Sequence, residues 1–467
     1  MEGVMGQPLE SRVFSRGGLA LMVGLLVVLT VYVATPLTNT DTFFHLRFGA
    51  GFLDDWKPWA PGTVTTAGTA DWVPTSWLSE ILMSLAERVD GLAGVAWLFG
   101  LSVLIYALVL YRACRRVVPA AVAAVLAMLA ILGSSQFLSA RPQVWSYVLV
   151  VITVDAWLRA AEDRRPPWFL IPVTWLWAML HGMWPIGIAI GVAAVAGIAL
   201  DGATRRQLMR FAIIPAASFL VGGLTPVGPA LYGAVFEVGA RKRFFTEWAA
   251  PDFSTPVPIV VAGLFTVLLV IGMRRPAPRW VVVALSVVAL GALLYSARTT
   301  PVAAAIIAPL LALALAPLVP APLAVDRVER RVMVATTGVL LVVLAVLAGV
   351  KSDRAPDVPP WLATEMEALP PGTVVLTEDF VGGPLMWMYP QLDFAYSGYG
   401  DIYTIDELEA KVDLFRLNPD WASVLTELGA NDALLPPDSR LTQALEDQLH
   451  WRVVRSSTEL VLLHAPD

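Results

Sequence analysis

Asp41 and His45 stand four residues apart in the segment Leu37-Thr-Asn-Thr-Asp41-Thr-Phe-Phe-His45-Leu-Arg47-Phe-Gly49, just after the first long apolar run, Gly18 to Ala34. On a helix that spacing puts both side chains on one face, one turn apart. A carboxylate held at a membrane surface can act as a base, bind a metal or orient a polar head group. Thr38, Asn39 and Asp41 also favour helix starts, so capping alone would account for them. What tips the reading towards chemistry is that later loops place further polar residues on the same side.

Those residues are Glu80 in Trp77-Leu-Ser-Glu80, then Arg141 and Gln143, His181, Arg241-Lys-Arg243 with Glu247, and finally Arg298. Each has a plainer explanation. Arg141 before Pro142 could snorkel to head groups, and His181 before a glycine could serve a turn. Trp56, Trp59, Trp72 and Trp77 would suit anchoring helices in the interface. Pooled, three acids, two histidines and several arginines describe a site for an anionic, lipid-borne substrate. Arginine offers a bidentate fork for phosphate, and a carboxylate offers a base.

The elements that must position these residues are membrane spans. The chain has 467 residues, 57% of them hydrophobic and 15% charged, where soluble domains carry roughly 25% charged. Its mean hydropathy is +0.68. Beyond the first run, apolar stretches lie near 91–111, 118–138, 142–160, 168–181, 184–200, 211–231, 256–273, 280–297, 301–320 and 332–350. At roughly 20 residues per crossing, that predicts about eleven transmembrane helices. Arg112/Arg115/Arg116, Arg159/Arg164/Arg165, Arg205/Arg206/Arg210, Arg274/Arg275/Arg279 and Arg327/Arg330/Arg331 fall in every second loop. By the positive-inside rule these loops and the N-terminus are cytoplasmic, and an odd number of spans puts the C-terminus outside. The absence of a small-residue cleavage site predicts that the first run is a retained span.

The expected architecture is a transmembrane domain over 1–350 with a long first outer loop at 35–90. A Pro-rich, charged linker follows at 351–360, then an extracytoplasmic α/β domain over 361–467. In that last part Thr373–Thr377, Phe394–Tyr396 and Asp432–Leu435 read as strands. Gly382–Met388 reads as a turn into a short helix, Ile405–Leu417, Trp421–Leu428 and Leu441–Leu449 as helices, and Trp451–Arg455 with Leu460–His464 as a terminal hairpin.

Several function classes drop out. The net charge of −6 and the lack of a basic patch with stacking aromatics exclude nucleic acid. There is no Gly-rich phosphate loop, His-Glu-x-x-His motif or Gly-x-Ser-x-Gly elbow. Cys114 is the single cysteine, so neither an internal disulfide nor a Cys-based metal site can form. Asp155 is the main mid-span acid, which argues against a proton-coupled pump.

Asp41 to Gly49 reads Asp-x-x-x-His-Leu-x-x-Gly. With Trp77-Leu-Ser-Glu80, Arg141-Pro-Gln143 and His181-Gly182, it resembles an uncharacterised bacterial branch of the GT-C superfamily of membrane glycosyltransferases. Gly382-Gly383 with Trp387, and Gly398-Tyr-Gly-Asp401-Ile-Tyr403, are similar to that branch's C-terminal outer domain. Leu180 stands where the branch often has Asn, and Tyr399 where it often has Arg. The resemblance implies an inverting transfer of a sugar from a polyprenyl-phosphate donor to a cell-envelope acceptor (glycan, lipid or protein) on the outer face of the bacterial inner membrane. The catalytic base maps onto Asp41, with His45 as its working partner and Glu80 as the next candidate. Arg141, Arg243 and Arg298 would neutralise the departing phosphate, with Gln143, His181 and Glu247 completing the site. Some members of the superfamily need a divalent metal and others do not, so the metal and cofactor remain unknown. The rival reading is a non-catalytic membrane protein that binds or transports a lipid-linked glycan, or scaffolds envelope assembly.

Overall fold

The computed structural model describes residues 9–466 apart from 70, 276, 322–324, 326, 355 and 357. In chain order come α1 (Leu9–Val33), α2 (Thr40–Asp54), α3 (Trp77–Arg115), α4 (Ala120–Leu132), α5 (Gln143–Asp163), α6 (Leu170–Leu180), α7 (Pro185–Leu200), α8 (Arg205–Gly222) and α9 (Ala230–Arg241). Next are α10 (Pro256–Met273), α11 (Trp280–Tyr295), α12 (Thr300–Leu315) and α13 (Arg327–Lys351). The C-terminal part runs α14 (Pro360–Ala368), β1 (Val374–Thr377), α15 (Asp379–Met388), β2 (Asp393–Ala395), α16 (Ile405–Arg416) and α17 (Trp421–Leu428). It ends with β3 (Asp432–Leu435), α18 (Arg440–Asp447), β4 (Arg452–Ser456) and β5 (Val461–His464).

Every expected apolar stretch contains a helix, and six among the described residues are long and apolar enough to cross a membrane. These are α1 from Arg16, α3, α5, α10, the run Ala297–Leu318 around α12, and α13. Helices α4, α6, α7 and α11 are apolar but shorter; their lengths reach roughly 16–24 Å at 1.5 Å per residue. Helix α8 starts earlier than its apolar run, because Thr204 and Gln207 form a capping box. It ends at Gly222, where a Cβ would strike the Trp184 ring.

The described chain divides into two compact units. The first comprises Met1–Pro36, Ala93–Thr225 and Phe245–Asp353. Its centre is α12, buried from Thr300 to Ala314 and packed by α4, α5, α10 and α11. Small residues set the spacing: a Cβ on Gly18 would meet the backbone at Ala120 and Ala121, and one on Gly197 the backbone of Val281. At one end of this unit the arginine-rich loops gather. Arg115 forks onto Glu329 with two 3.0 Å bonds, and Tyr111 donates to the same carboxylate at 2.9 Å. Arg116 and Arg159 share Asp155, and Glu162 takes Arg116 and, at 3.9 Å, Arg279. Thus the ends of α3 and α5 meet the starts of α13 and α11.

The second unit comprises Leu37–Leu92, Pro226–Phe244 and Arg354–Asp467. Its sheet has the order β2-β1-β3-β5-β4. β1 lies parallel to β2 and β3, and β5 is antiparallel to β3 and β4. Asp432 sits opposite His464 across β3 and β5 in register, and their side chains bond at 2.8 Å. The unit takes in the long first loop as well as the C-terminal segment, and α15 packs closely on α2. The chain leaves it at Leu92, just past a break in α3 at Asp90 and Gly91. Trp56, Trp59 and Trp72 are not on interfacial helices, since no described residue between Asp54 and Trp77 is helical, whereas Trp77 opens α3. Trp72 is buried, and it packs with Trp56 against Phe48 and Phe52 as core, while Trp59 remains exposed.

Candidate active site

The site residues fall into two sets, one in each unit. In the second unit, Asn39 caps α2 by accepting the Asp41 amide at 3.1 Å. Asp41 therefore occupies the first turn, partly exposed. One turn on, His45 is buried, and its Nδ1 lies 2.9 Å from Glu80 Oε1 rather than on Asp41. Glu80 is fully buried, and its Oε2 has no hydrogen-bond partner. Gly49 makes this meeting feasible. It lies one further turn along the His45 face, and a Cβ there would strike the backbone carbonyl of Glu80. The glycine lets α2 and the start of α3 approach until imidazole and carboxylate touch.

The C-terminal glycine motif closes on the same helix. A Cβ on Gly383 would meet the backbone of Thr40, and one on Gly382 the backbone of Ser397. Gly398, at φ +103°, turns the chain in the left-handed region beside Asp379. That turn delivers Tyr399 edge-on to His45 with ring centroids 5.6 Å apart, and against Phe44 and Phe48. Asp401 follows, close enough for its charge to act on Glu80 and 3.9 Å from Arg241, which also pairs with Glu237. Arg243 is exposed and pairs with Glu409, its guanidinium over the Phe244 ring.

In the first unit, at the end opposite the arginine-rich loops, Glu247 bridges two arginines. Its Oε1 accepts from Arg298 at 2.6 Å, and its Oε2 lies 3.5 Å from Arg141. Arg298 also stacks over Trp248, and Arg141 Nε donates to Ser139 at 2.9 Å. Gln143 donates to the Phe137 carbonyl. His181 Nδ1 lies 2.9 Å from the Ser146 hydroxyl, which accepts from Trp177 Nε1 at 2.8 Å. The Met183 amide points at the same Nδ1, at 3.4 Å.

The structure therefore joins Arg141, Glu247 and Arg298, joins His45 to Glu80, and places Gln143 and His181 on or beside α5. Arg243 belongs to the other unit from Arg141 and Arg298. Sequence reasoning missed Tyr147, whose buried hydroxyl has no partner, and Ser146; position 147 is one helical turn from Gln143, the signal that could have found it. Among the described residues no three His, Cys, Asp or Glu side chains are grouped to hold a metal ion. His45 and Glu80 alone fall short of a ligand set.

No protein-family model and no curated protein matches the chain. Solved structures do share its architecture. The archaeal oligosaccharyltransferase AglB from Archaeoglobus fulgidus, in complex with an inhibitory peptide and a dolichol-phosphate, superposes at a TM-score of 0.60 with 13% identity, over 90% of this chain and 69% of that one. ArnT from Cupriavidus metallidurans in the apo state gives 0.56 and 17%, over 97% and 99%. The arabinofuranosyltransferase AftD from Mycobacteria gives 0.51 and 16%, over 97% of this chain but 42% of its own. At these identities the likeness is one of fold. The chain is a membrane protein with a GT-C-like fold.

Proposed function

We propose that the protein is an inverting glycosyltransferase that moves a sugar from a polyprenyl-phosphate donor to a cell-envelope acceptor. It would act on the outer face of the bacterial inner membrane, with its N-terminus cytoplasmic. The observation that carries this reading is a pair of arginines sharing one carboxylate, Arg141–Glu247–Arg298, within a GT-C-like fold. One carboxylate leaves two guanidiniums with net positive charge, suited to a phosphate monoester or diester.

In this reading the acceptor hydroxyl attacks the anomeric carbon from the face opposite the phosphate. The new C–O bond forms as the bond to the phosphate oxygen breaks, and the electron pair leaves with the polyprenyl phosphate. Arg141 and Arg298 stabilise that developing charge; Arg243, exposed and engaged with Glu409, is assigned no part in it. Asp41 takes the hydroxyl proton. Glu80 holds the His45 ring, whose other nitrogen can then orient a substrate hydroxyl. Phosphate is already a good leaving group, so positioning and charge stabilisation supply most of the acceleration.

The test is Asp41→Asn in the full chain, assayed for transfer from labelled polyprenyl-phosphate sugars to envelope acceptors. Transfer should fall by roughly 100-fold or more, with binding of the polyprenyl phosphate unchanged. Near-normal transfer would remove Asp41 as the base and pass the role to Glu80. A wild-type chain that binds the lipid yet transfers no sugar would favour the glycan-binding alternative.

A further inference from the structure

Two helices begin at the Arg141–Glu247–Arg298 cluster. Helix α5 starts at Gln143, two residues after Arg141, and α12 at Thr300, two residues after Arg298; the two helices pack on each other. Each brings the positive end of its dipole, although the Val144 and Trp145 amides that open α5 already bond to the Arg141 and Pro142 carbonyls and Pro301 in the first turn of α12 has no N–H. Polar atoms left without partners concentrate here as well. The Tyr147 hydroxyl, Gln143 Oε1, Thr300 Oγ1 and Arg298 Nε are all buried and unbonded. Tyr147 is wholly buried on α5, its ring against Tyr106 at 5.9 Å, and Arg141, Arg298 and Glu247 all act on it electrostatically. A buried hydroxyl with no acceptor beside two cations is a costly arrangement unless an anion completes it.

Glu247 has the opposite character. It sits on a single short turn, Thr246–Trp248, and its side chain is 30% exposed. Its grip is uneven, 2.6 Å to Arg298 against 3.5 Å to Arg141. Its two oxygens span two guanidiniums much as two oxygens of a phosphate would.

Resting on the reading of this cluster as the lipid-phosphate site, we propose that Glu247 holds the phosphate's place in the free protein and that Tyr147 is a phosphate-binding residue. The incoming phosphate displaces the carboxylate, first from Arg141 and towards solvent. One phosphate oxygen then accepts the Tyr147 hydroxyl, which is already fixed in position. Glu247 thereby acts as a built-in competitor that sets the affinity for the donor and eases release of the spent carrier.

Calorimetry on the full chain in detergent tests this, with farnesyl phosphate as probe and farnesol as its uncharged control. Tyr147→Phe should weaken farnesyl phosphate binding roughly tenfold, the effect of one hydrogen bond to a charged group. Removing an unsatisfied hydroxyl should leave the melting temperature equal or higher, so the loss cannot be ascribed to unfolding. Glu247→Gln should tighten binding by a similar factor, and neither change should alter farnesol. Unchanged binding in Tyr147→Phe, or weaker binding in Glu247→Gln, overturns the proposal. If both variants bind like wild type while Arg298→Gln loses the phosphate, the lipid-phosphate reading stands and this inference alone fails. If the wild type does not distinguish farnesyl phosphate from farnesol, both fail.

Discussion

At the scale of residues, His45 shows what spacing can and cannot tell. Four residues from Asp41, it was expected to work with that carboxylate, and the helix does place the two one turn apart. Its hydrogen bond nevertheless goes to Glu80, 35 positions along the chain. A pairing between two helices depends on where they cross, and the side-chain period of one helix carries no information about that. The crossing is set by Gly49, which the sequence displayed without its reason. The pair makes a specific prediction. With Glu80 accepting from Nδ1–H, the imidazole is held in one tautomer; glutamine at 80 could present a donor instead and turn the ring's roles around. Transfer should fall roughly 100-fold in His45→Ala and by a similar factor in Glu80→Gln, the range typical of proton-handling groups. Because the two act as a unit, the double variant should be no worse than the weaker single one. Multiplying defects would show that they act separately.

At the scale of elements, the sequence is most informative where periodicity is local. The strands at 374–377, 393–395 and 432–435 and the terminal hairpin lie within a residue or two of expectation, since alternation and turn residues are short-range signals. The helix at 360–368 was not anticipated, because Pro359 and Pro360 resemble linker when their role as a helix start goes unnoticed. Loop arginines were read for sidedness alone, and the Arg115–Glu329 fork ties two of the loops that carry them. Glu329 also satisfies Tyr111, so one carboxylate ties α3 to α13. Its removal leaves a buried guanidinium unpaired, at a cost of about 3–5 kcal/mol. Glu329→Ala should therefore lower the melting temperature markedly, whereas Arg115→Met with Glu329→Leu should recover much of the loss by removing both charges. A melting temperature unchanged in Glu329→Ala would mean that the fork contributes nothing to holding the two helices.

At the scale of the whole molecule, the C-terminal segment does more than follow the membrane helices. It builds one compact unit with the first loop, so the helix carrying Asp41 and His45 is packed by residues more than 300 positions downstream. The contact is tightest at Gly383, where the backbone of α15 rides over Thr40, the residue that opens α2. Trp387, one turn further on, lies against Phe43 at 5.5 Å between centroids and donates to Glu87. A side chain at 383 cannot be accommodated by a rotamer change, because the obstacle is backbone. Gly383→Val should therefore push α15 off the first turn of α2 and disturb the Asn39 cap that fixes Asp41. Overpacking of this kind typically costs about 1–3 kcal/mol, enough to displace a helix start while the sheet remains folded. The Arg141–Glu247–Arg298 cluster lies in the other unit and should keep its phosphate. The expected result is thus a split: transfer falls as far as in Asp41→Asn, while farnesyl phosphate binds as to wild type. Equal loss of transfer and binding would show that the phosphate-binding residues depend on the same packing, and normal transfer would show that the first turn of α2 tolerates the displacement.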